Sequence, residues 1–294
     1  MSLNILLIAI LIDLFFGEPS EKLHPVVWIG KLIDGLRAHM KKSKIYGAIL
    51  VLGVVGCFTL VGYLIDLIPG VFGLLISAYF LKATFSITCL ADTANMMKKH
   101  LDIGDLENAK KDLPKLVGRD TEQLSKKEMN SAVIESVAEN FVDGIFSPLF
   151  YFLLFGLPGA LAYKAINTLD SMVGQGHFGY FSARLDDLVN YIPARLSVLF
   201  ILAGSVLYGS PLSALKVSWR DHGLTKSPNS GWPMAAMAGS LEISLKKPKN
   251  YILGSDLEMP ETHHIKSAIR IMEMSTTFLI IVFFMIAYFV PMYY

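Results

Sequence analysis

The sequence predicts an all-α, polytopic integral membrane helical bundle with about 4–6 membrane segments. Three observations carry this. The chain is 53% hydrophobic and only 17% charged, against roughly 45–50% and 25% for soluble domains. The apolar excess is gathered into six blocks: 3–16, 47–68, 71–91, 145–163, 194–209 and 275–292. Pro and Gly then punctuate the blocks at Ile68-Pro69-Gly70 and Gly156-Leu157-Pro158-Gly159, where turns are favoured. A net charge of +1 leaves no nucleic-acid footprint.

A full crossing needs about 20 apolar residues. The second, third and sixth blocks meet that length, and the first and fifth are short. The first lacks a basic leader and a small-residue cleavage site, so it reads as a retained helix. The second and third blocks meet at Pro69-Gly70 and are expected to form a helical hairpin. The fourth carries Pro148 near its start and the Gly156–Gly159 break in its middle. It reads either as one kinked crossing or as two half-length helices in a re-entrant hairpin, an arrangement tolerated where backbone lines a cavity. Cys57 and Cys89 lie in apolar blocks with no zinc spacing, and are expected to be small buried residues.

The domain expectation is one integral membrane domain over residues 1–294, with polar cytoplasmic segments near 92–144 and 211–267. The mixed-charge runs in the first of these read as solvated helices and turns. Lys22, Lys31, Arg37, Lys41, Lys42 and Lys44 sit between the first two blocks and assign that loop to the cytoplasm by the positive-inside rule. The expected location is the cell membrane, with the lipid bilayer as a partner and the polar site facing the cytoplasm.

Ionisable residues beside a membrane segment are costly and mark function. They crowd the stretch from Glu135 to Arg195. Glu135, Glu139 and Asp143 fall at i, i+4 and i+8, one helix face. Such a carboxylate ladder calls for a cation, and Mg²⁺ binds through one or two carboxylates plus substrate phosphates; the bland alternative is a solvated face. Asn140 adds to this cluster. A second cluster holds Arg184, Asp186, Asp187, Asn190 and Arg195, in which an Arg184–Asp187 ion pair is the structural alternative. Lys164, Asn167 and Asp170 lie between the clusters, with Lys164 either a phosphate-binding point charge or a snorkelling lysine. Asp13, Glu18 and His24 flank the first block, with His24 a site residue or a loop residue. There is no P-loop and no dinucleotide fingerprint.

These segments taken together resemble the CobD/CbiB family, the adenosylcobinamide-phosphate synthases. The match runs through Asp13-Leu14-Phe15-Phe16-Gly17-Glu18-Pro19 with His24-Pro25-Val26, Glu135-Ser136-Val137-Ala138-Glu139-Asn140 with Asp143-Gly144, and Pro148-Leu149-Phe150-Tyr151. It continues with Ala162 to Met172, Ala183-Arg184-Leu185-Asp186-Asp187, Ile192-Pro193-Ala194-Arg195, and Ser227 to Gly239 including Trp232. The link Gln175-Gly176-His177-Phe178-Gly179 departs from the family pattern.

The resemblance implies an ATP-dependent ligase joining adenosylcobyric acid, a corrinoid, to aminopropanol or its O-phosphate. ATP and Mg²⁺ are then the expected co-substrate and metal. Glu135, Glu139 and Asp143 are the expected metal ligands. Glu139, Asp186 and Asp187 are the expected catalytic groups. Lys164, Asn167, Asp170, Arg184, Arg195, His24, Asn140 and Trp232 are the expected substrate contacts. A second copy of the chain or other cobalamin-pathway membrane proteins are the expected protein partners. Two readings from other classes stay open: an AmpE-like non-catalytic membrane sensor and a Mg²⁺-dependent transferase on isoprenoid diphosphates.

Overall fold

A computed structural model describes residues 2–118, 120–174 and 176–289. Gln175 of the divergent link and the last residues of the sixth block, 290–292, lie outside the described residues. The helices in chain order are α1 (Ser2–Phe16), α2 (Pro25–Arg37), α3 (Lys44–Asp66), α4 (Gly70–Lys82), α5 (Thr88–Asp102), α6 (Leu106–Asp112), α7 (Lys126–Phe141), α8 (Ser147–Val173), α9 (Tyr180–Val189), α10 (Tyr191–Tyr208), α11 (Pro211–Asp221), α12 (Gly231–Leu241) and α13 (His263–Phe289). Short strands β1 (Leu245–Lys247) and β2 (Tyr251–Leu253) pair antiparallel. Among the described residues, four helical stretches are long and apolar enough to cross a membrane: Lys44–Asp66, Lys126–Val173, Tyr191–Tyr208 and His263–Ile286. The protein is an all-α polytopic membrane protein.

Two compact units are interleaved along the chain. The first comprises Met1–Thr88, Asp143–Asn190 and Val282–Tyr294; the second comprises Cys89–Val142 and Tyr191–Ile281.

In the first unit the fourth block is a helical hairpin, not one kinked helix. A straight helix would separate Asp143 from Tyr163 by about 30 Å at 1.5 Å per residue. Instead the Tyr163 hydroxyl lies 3.5 Å from the Asp143 carbonyl, and the Tyr151 and Tyr163 rings stack at 5.4 Å. The reversal occurs at Gly156, with φ +66° and ψ −159°, a conformation essentially reserved for glycine. Pro158 then starts the second limb at a position where its missing N–H costs nothing. A Cβ on Gly159 would lie 2.5 Å from the Tyr151 carbonyl, so the limbs touch through bare backbone.

Helix α3 packs along this second limb. A Cβ on Gly62 would fall 2.7 Å from Pro158 Cα, and one on Gly47 would fall 2.0 Å from the Phe178 carbonyl. The hairpin tip thus lies beside one end of α3, and the link after α8 lies beside the other. Gly156→Ala should destabilise the detergent-solubilised protein by about 1–3 kcal/mol in thermal unfolding. Gly53→Ala, which meets open space within α3, should be neutral or slightly stabilising.

The third block differs from expectation. It does not form one span: α4 ends at Lys82 and a turn leads to α5 at Thr88. The cause is local polarity. Lys82 is buried among acids, the Thr84 hydroxyl donates to the Leu81 carbonyl at 2.7 Å, and Thr88 N–H donates to Asp13 at 3.1 Å. Cys57 and Cys89 are both exposed rather than buried, because each points off its helix away from the packed interior.

In the second unit, α7 is buried on every side from Met129 to Ala138. Its start is fixed by a capping box, with Ser125 and Glu128 bonding each other's backbone N–H, an arrangement that satisfies two orphan donors. It packs on α12 and β1, and α11 packs on α12.

Candidate functional site

The first unit buries a chain of ionisable groups. Lys82, in the last turn of α4, has no solvent exposure, and neither has Asp13. Lys82 Nζ lies 2.9 Å from Asp13 Oδ1 and 2.8 Å from Glu18 Oε1, and donates to the Phe85 carbonyl at 3.4 Å. Glu18 and the Phe85 carbonyl accept hydrogen bonds from the ammonium, and the Asp13 carboxylate supplies a second negative charge beside it as an ion pair, which offsets the cost of burying the cation. Glu18 follows the Gly17 turn (φ +65°), and its other oxygen accepts from His24 Nε2 at 3.0 Å. His24 Nδ1 accepts from Val26 N–H at 3.2 Å as the N-cap of α2, which assigns the proton to Nε2. Burial opposes the Glu18 charge, but hydrogen bonds from His24, Lys82 and Ser86 outweigh it and hold the carboxyl at about 2. A depressed carboxyl stabilises the fold above its unfolded value, and that contribution is lost as pH falls from about 4.5 toward 2.

A second network hangs on Asn190, at the end of α9. Its Oδ1 accepts from Ser147 Oγ at 2.8 Å and from the Tyr163 hydroxyl at 2.9 Å. Its Nδ2 donates to Asp186 Oδ2 at 3.1 Å. Both limbs of the hairpin are thereby tied to Asp186. The other oxygen, Asp186 Oδ1, is buried with no hydrogen-bond partner among the described residues. Burial, with the Asp170 charge behind it, pushes the Asp186 carboxyl up to about 7, against hydrogen bonds from Asn190 and Asn167.

Lys164, on the second limb, lies within electrostatic reach of Asp143, Glu18 and Lys82. Among the described residues no hydrogen bond or ion pair ties its ammonium. It stands about 9 Å along the helix from Pro158 at the hairpin tip. Lys164, Tyr163, Asn167 and Asp170 make a polar strip on an otherwise apolar limb. Lys82 is a cation paired with two carboxylates, and Lys164 is one for which no ion pair is recorded among the described residues.

The expected carboxylate ladder does not form one set. Helix α7 ends at Phe141, and Val142–Phe146 form a π-helical turn. Asp143 belongs to the first unit and the two glutamates to the second. Glu135 is buried and accepts from Ser131 Oγ at 2.7 Å and from the Tyr251 hydroxyl at 2.8 Å. Glu139 lines a small cavity of about 80 Å³ with Glu135, Ser136, Lys247 and Tyr251. Among the described residues no group of three or more His, Cys, Asp or Glu side chains is placed to hold a metal.

The other expected contacts divide between the units. Arg184 is exposed and pairs with Asp187 at 3.7 Å, the structural alternative. Asn140 donates to the Ser136 carbonyl at 2.9 Å, within α7. Arg195, in the second unit, lies flat over Tyr191 at 3.5 Å and 5.3 Å from Trp232. Its Nη1 donates to the Tyr191 carbonyl at 2.6 Å and to Asn229 at 3.3 Å. His222 stacks on Trp232 at 3.8 Å, so this Trp sits between ring and cation neighbours of its own unit.

Sequence reasoning missed Lys82, Tyr163, Ser147 and Tyr251. Lys82 carried a signal, because a lysine inside an apolar block is itself a functional-site indication. Tyr251 carried none, since its partner Glu135 lies 116 residues away.

The chain matches the family model described as CobD/Cbib protein over residues 6–276. It is 43% identical over 277 residues to "Cobalamin biosynthesis protein CobD" of Dehalococcoides mccartyi, covering 88% of this chain and 90% of that one. It is 39% identical over 279 residues to "Probable cobalamin biosynthesis protein CobD" of Methanothermobacter thermautotrophicus, covering 91% and 92%. It is 40% identical over 287 residues to "Cobalamin biosynthesis protein CobD" of Citrobacter koseri, covering 92% and 90%. No solved structure matches the chain. The chain belongs to the CobD/CbiB family.

Proposed function

We propose that this membrane protein serves cobalamin biosynthesis as an ATP-dependent amide ligase, joining the free carboxylate of adenosylcobyric acid to aminopropanol or its O-phosphate. The observation that supports this reading most is the uncommitted Lys164 ammonium in a buried polar core that also holds Asp186. An amide ligase needs a cation for the carboxylate or its phosphorylated form and a base for the incoming amine. The cobalamin names of the relatives favour this over a sensor or an isoprenoid transferase.

The chemistry runs in two steps. The substrate carboxylate takes the terminal phosphoryl group of ATP, giving an acyl phosphate and ADP. The amine then attacks the carbonyl, the C–N bond forms, and phosphate leaves. Lys164 holds the oxygen atoms that carry the charge in both steps. Asp186, anchored by Asn190, takes a proton from the substrate's ammonium and so frees the amine that attacks. The Asp13–Lys82–Glu18–His24 chain is a fixed scaffold behind Lys164. The resemblance implies Mg²⁺, but the residues expected to hold it do not come together as one set, so no step is derived through it.

The test is to incubate the purified protein in lipid with adenosylcobyric acid, aminopropanol phosphate and Mg·ATP, and to look by mass for the amide. Absence of product together with absence of corrinoid binding would sink the ligase reading. A pH series refines it. Activity should rise with pH through about 7 as Asp186 loses its proton, because a base acts unprotonated. Asp170→Asn removes the like charge and should move that limb to lower pH. A limb that stays in place would remove Asp186 from the proton transfer.

A further inference from the structure

The first unit carries a cavity that the amide chemistry does not use. It has a volume of about 740 Å³ and lies between the end of α2 and the end of α8. Its basic lining is Arg37, Lys42 and His177, and its apolar lining is Met40, Val173 and Phe178. Its depth is fixed by two observations. Lys42 stands two residues before α3, a 23-residue span that begins at Lys44. The Phe178 carbonyl is pressed against Gly47, in the first turn of that span. The cavity therefore sits where a span leaves the hydrocarbon, at headgroup level.

Cations predominate in the sequence there. Arg37, Lys41, Lys42 and Lys44 follow one another with no acid between them; Asp34 is the nearest acid, paired to Arg37 Nη2 at 2.9 Å. Arg37 Nη1 donates to the Met172 carbonyl at 2.8 Å, which fixes the guanidinium at the cavity edge with further N–H groups left over. Lys44 and one further cation, Arg184, which also pairs with Asp187, lie 4.5 and 5.7 Å from the Tyr180 ring, and tyrosine is a residue of the membrane interface. Lysine and arginine clusters beside a membrane helix attract anionic lipid, and cavities of roughly 300–1,000 Å³ are of ligand size. The apolar lining distinguishes this cavity from a plain phosphate site, because a free phosphate has nothing to offer Met40, Val173 and Phe178.

We propose that this cavity binds an anionic phospholipid, with Lys42, His177 and Arg37 on the headgroup phosphate and Met40, Val173 and Phe178 against the glycerol and first acyl carbons. The inference is independent of the ligase reading, since its test needs no turnover.

The full chain, purified in a neutral detergent, is titrated with phosphatidylglycerol or phosphatidylcholine, and bound lipid is counted by native mass spectrometry. Wild type should hold phosphatidylglycerol at roughly tenfold lower concentration than phosphatidylcholine, a preference that shrinks as salt rises. The double variant Lys42→Glu, His177→Ala changes two exposed side chains and should lose most of that preference. Lys249→Glu, which lies elsewhere on the surface, should keep it. Inorganic phosphate at millimolar concentration should leave the bound lipid in place. Equal binding of the two lipids, or an undiminished preference in the double variant, would overturn the proposal. Displacement of the lipid by inorganic phosphate would also overturn it, and would assign the cavity to a soluble phosphate ester instead.

Discussion

Lys82→Met is expected to cost about 3–5 kcal/mol of stability, the range seen when one member of a buried ion pair is removed. The variant leaves Asp13 buried without its cation, and it frees the Glu18 oxygen that Lys82 holds at 2.8 Å. Glu18 in turn anchors His24, the N-cap of α2, so the loss spreads into that helix. The double variant Asp13→Asn, Lys82→Met should recover part of the loss, because it removes both charges and not one. Thermal unfolding in detergent measures both. A Lys82→Met protein that melts with the wild type would show that the network carries no structural load.

Lys164→Met should behave in the opposite way. Activity should fall by at least about a hundredfold, or roughly 2.7 kcal/mol of transition-state stabilisation, because the variant removes the cation that meets the substrate oxygens. Stability should hold or rise, since the variant exchanges a desolvated ammonium without a close partner for an apolar side chain of similar length. Reduced activity together with an unchanged or raised melting temperature marks a residue kept for chemistry. A matching loss of both would make Lys164 a second structural cation like Lys82.

What could be read from the sequence follows from the range of the interactions. The spans are local properties of composition, and so is the reversal at Gly156, where Gly and Pro stand close together in an apolar run. The hairpin was therefore legible as one of two readings. The third block was misread because its break depends on Lys82 meeting Asp13, 69 residues earlier in the chain. The ladder of Glu135, Glu139 and Asp143 was read on 3.6 residues per turn, and the π-helical turn at Val142–Phe146 is not something that periodicity signals. Lys164, Asn167, Asp170 and Asp186 were legible as polar residues out of place beside a membrane segment. The tie of Asp186 to Asn190 was not, because it needs the hairpin to bring Ser147 and Tyr163 to one amide.

The most direct measurement is the fate of the carboxylate oxygen. Adenosylcobyric acid labelled with ¹⁸O in its free carboxylate is turned over with ATP and the amine, and the released phosphate is weighed. The account predicts one labelled oxygen in each phosphate, formed when the amine displaces phosphate from the acyl carbon, with transfer lost in Lys164→Met. Unlabelled phosphate beside a formed amide, or full transfer in Lys164→Met, would contradict it.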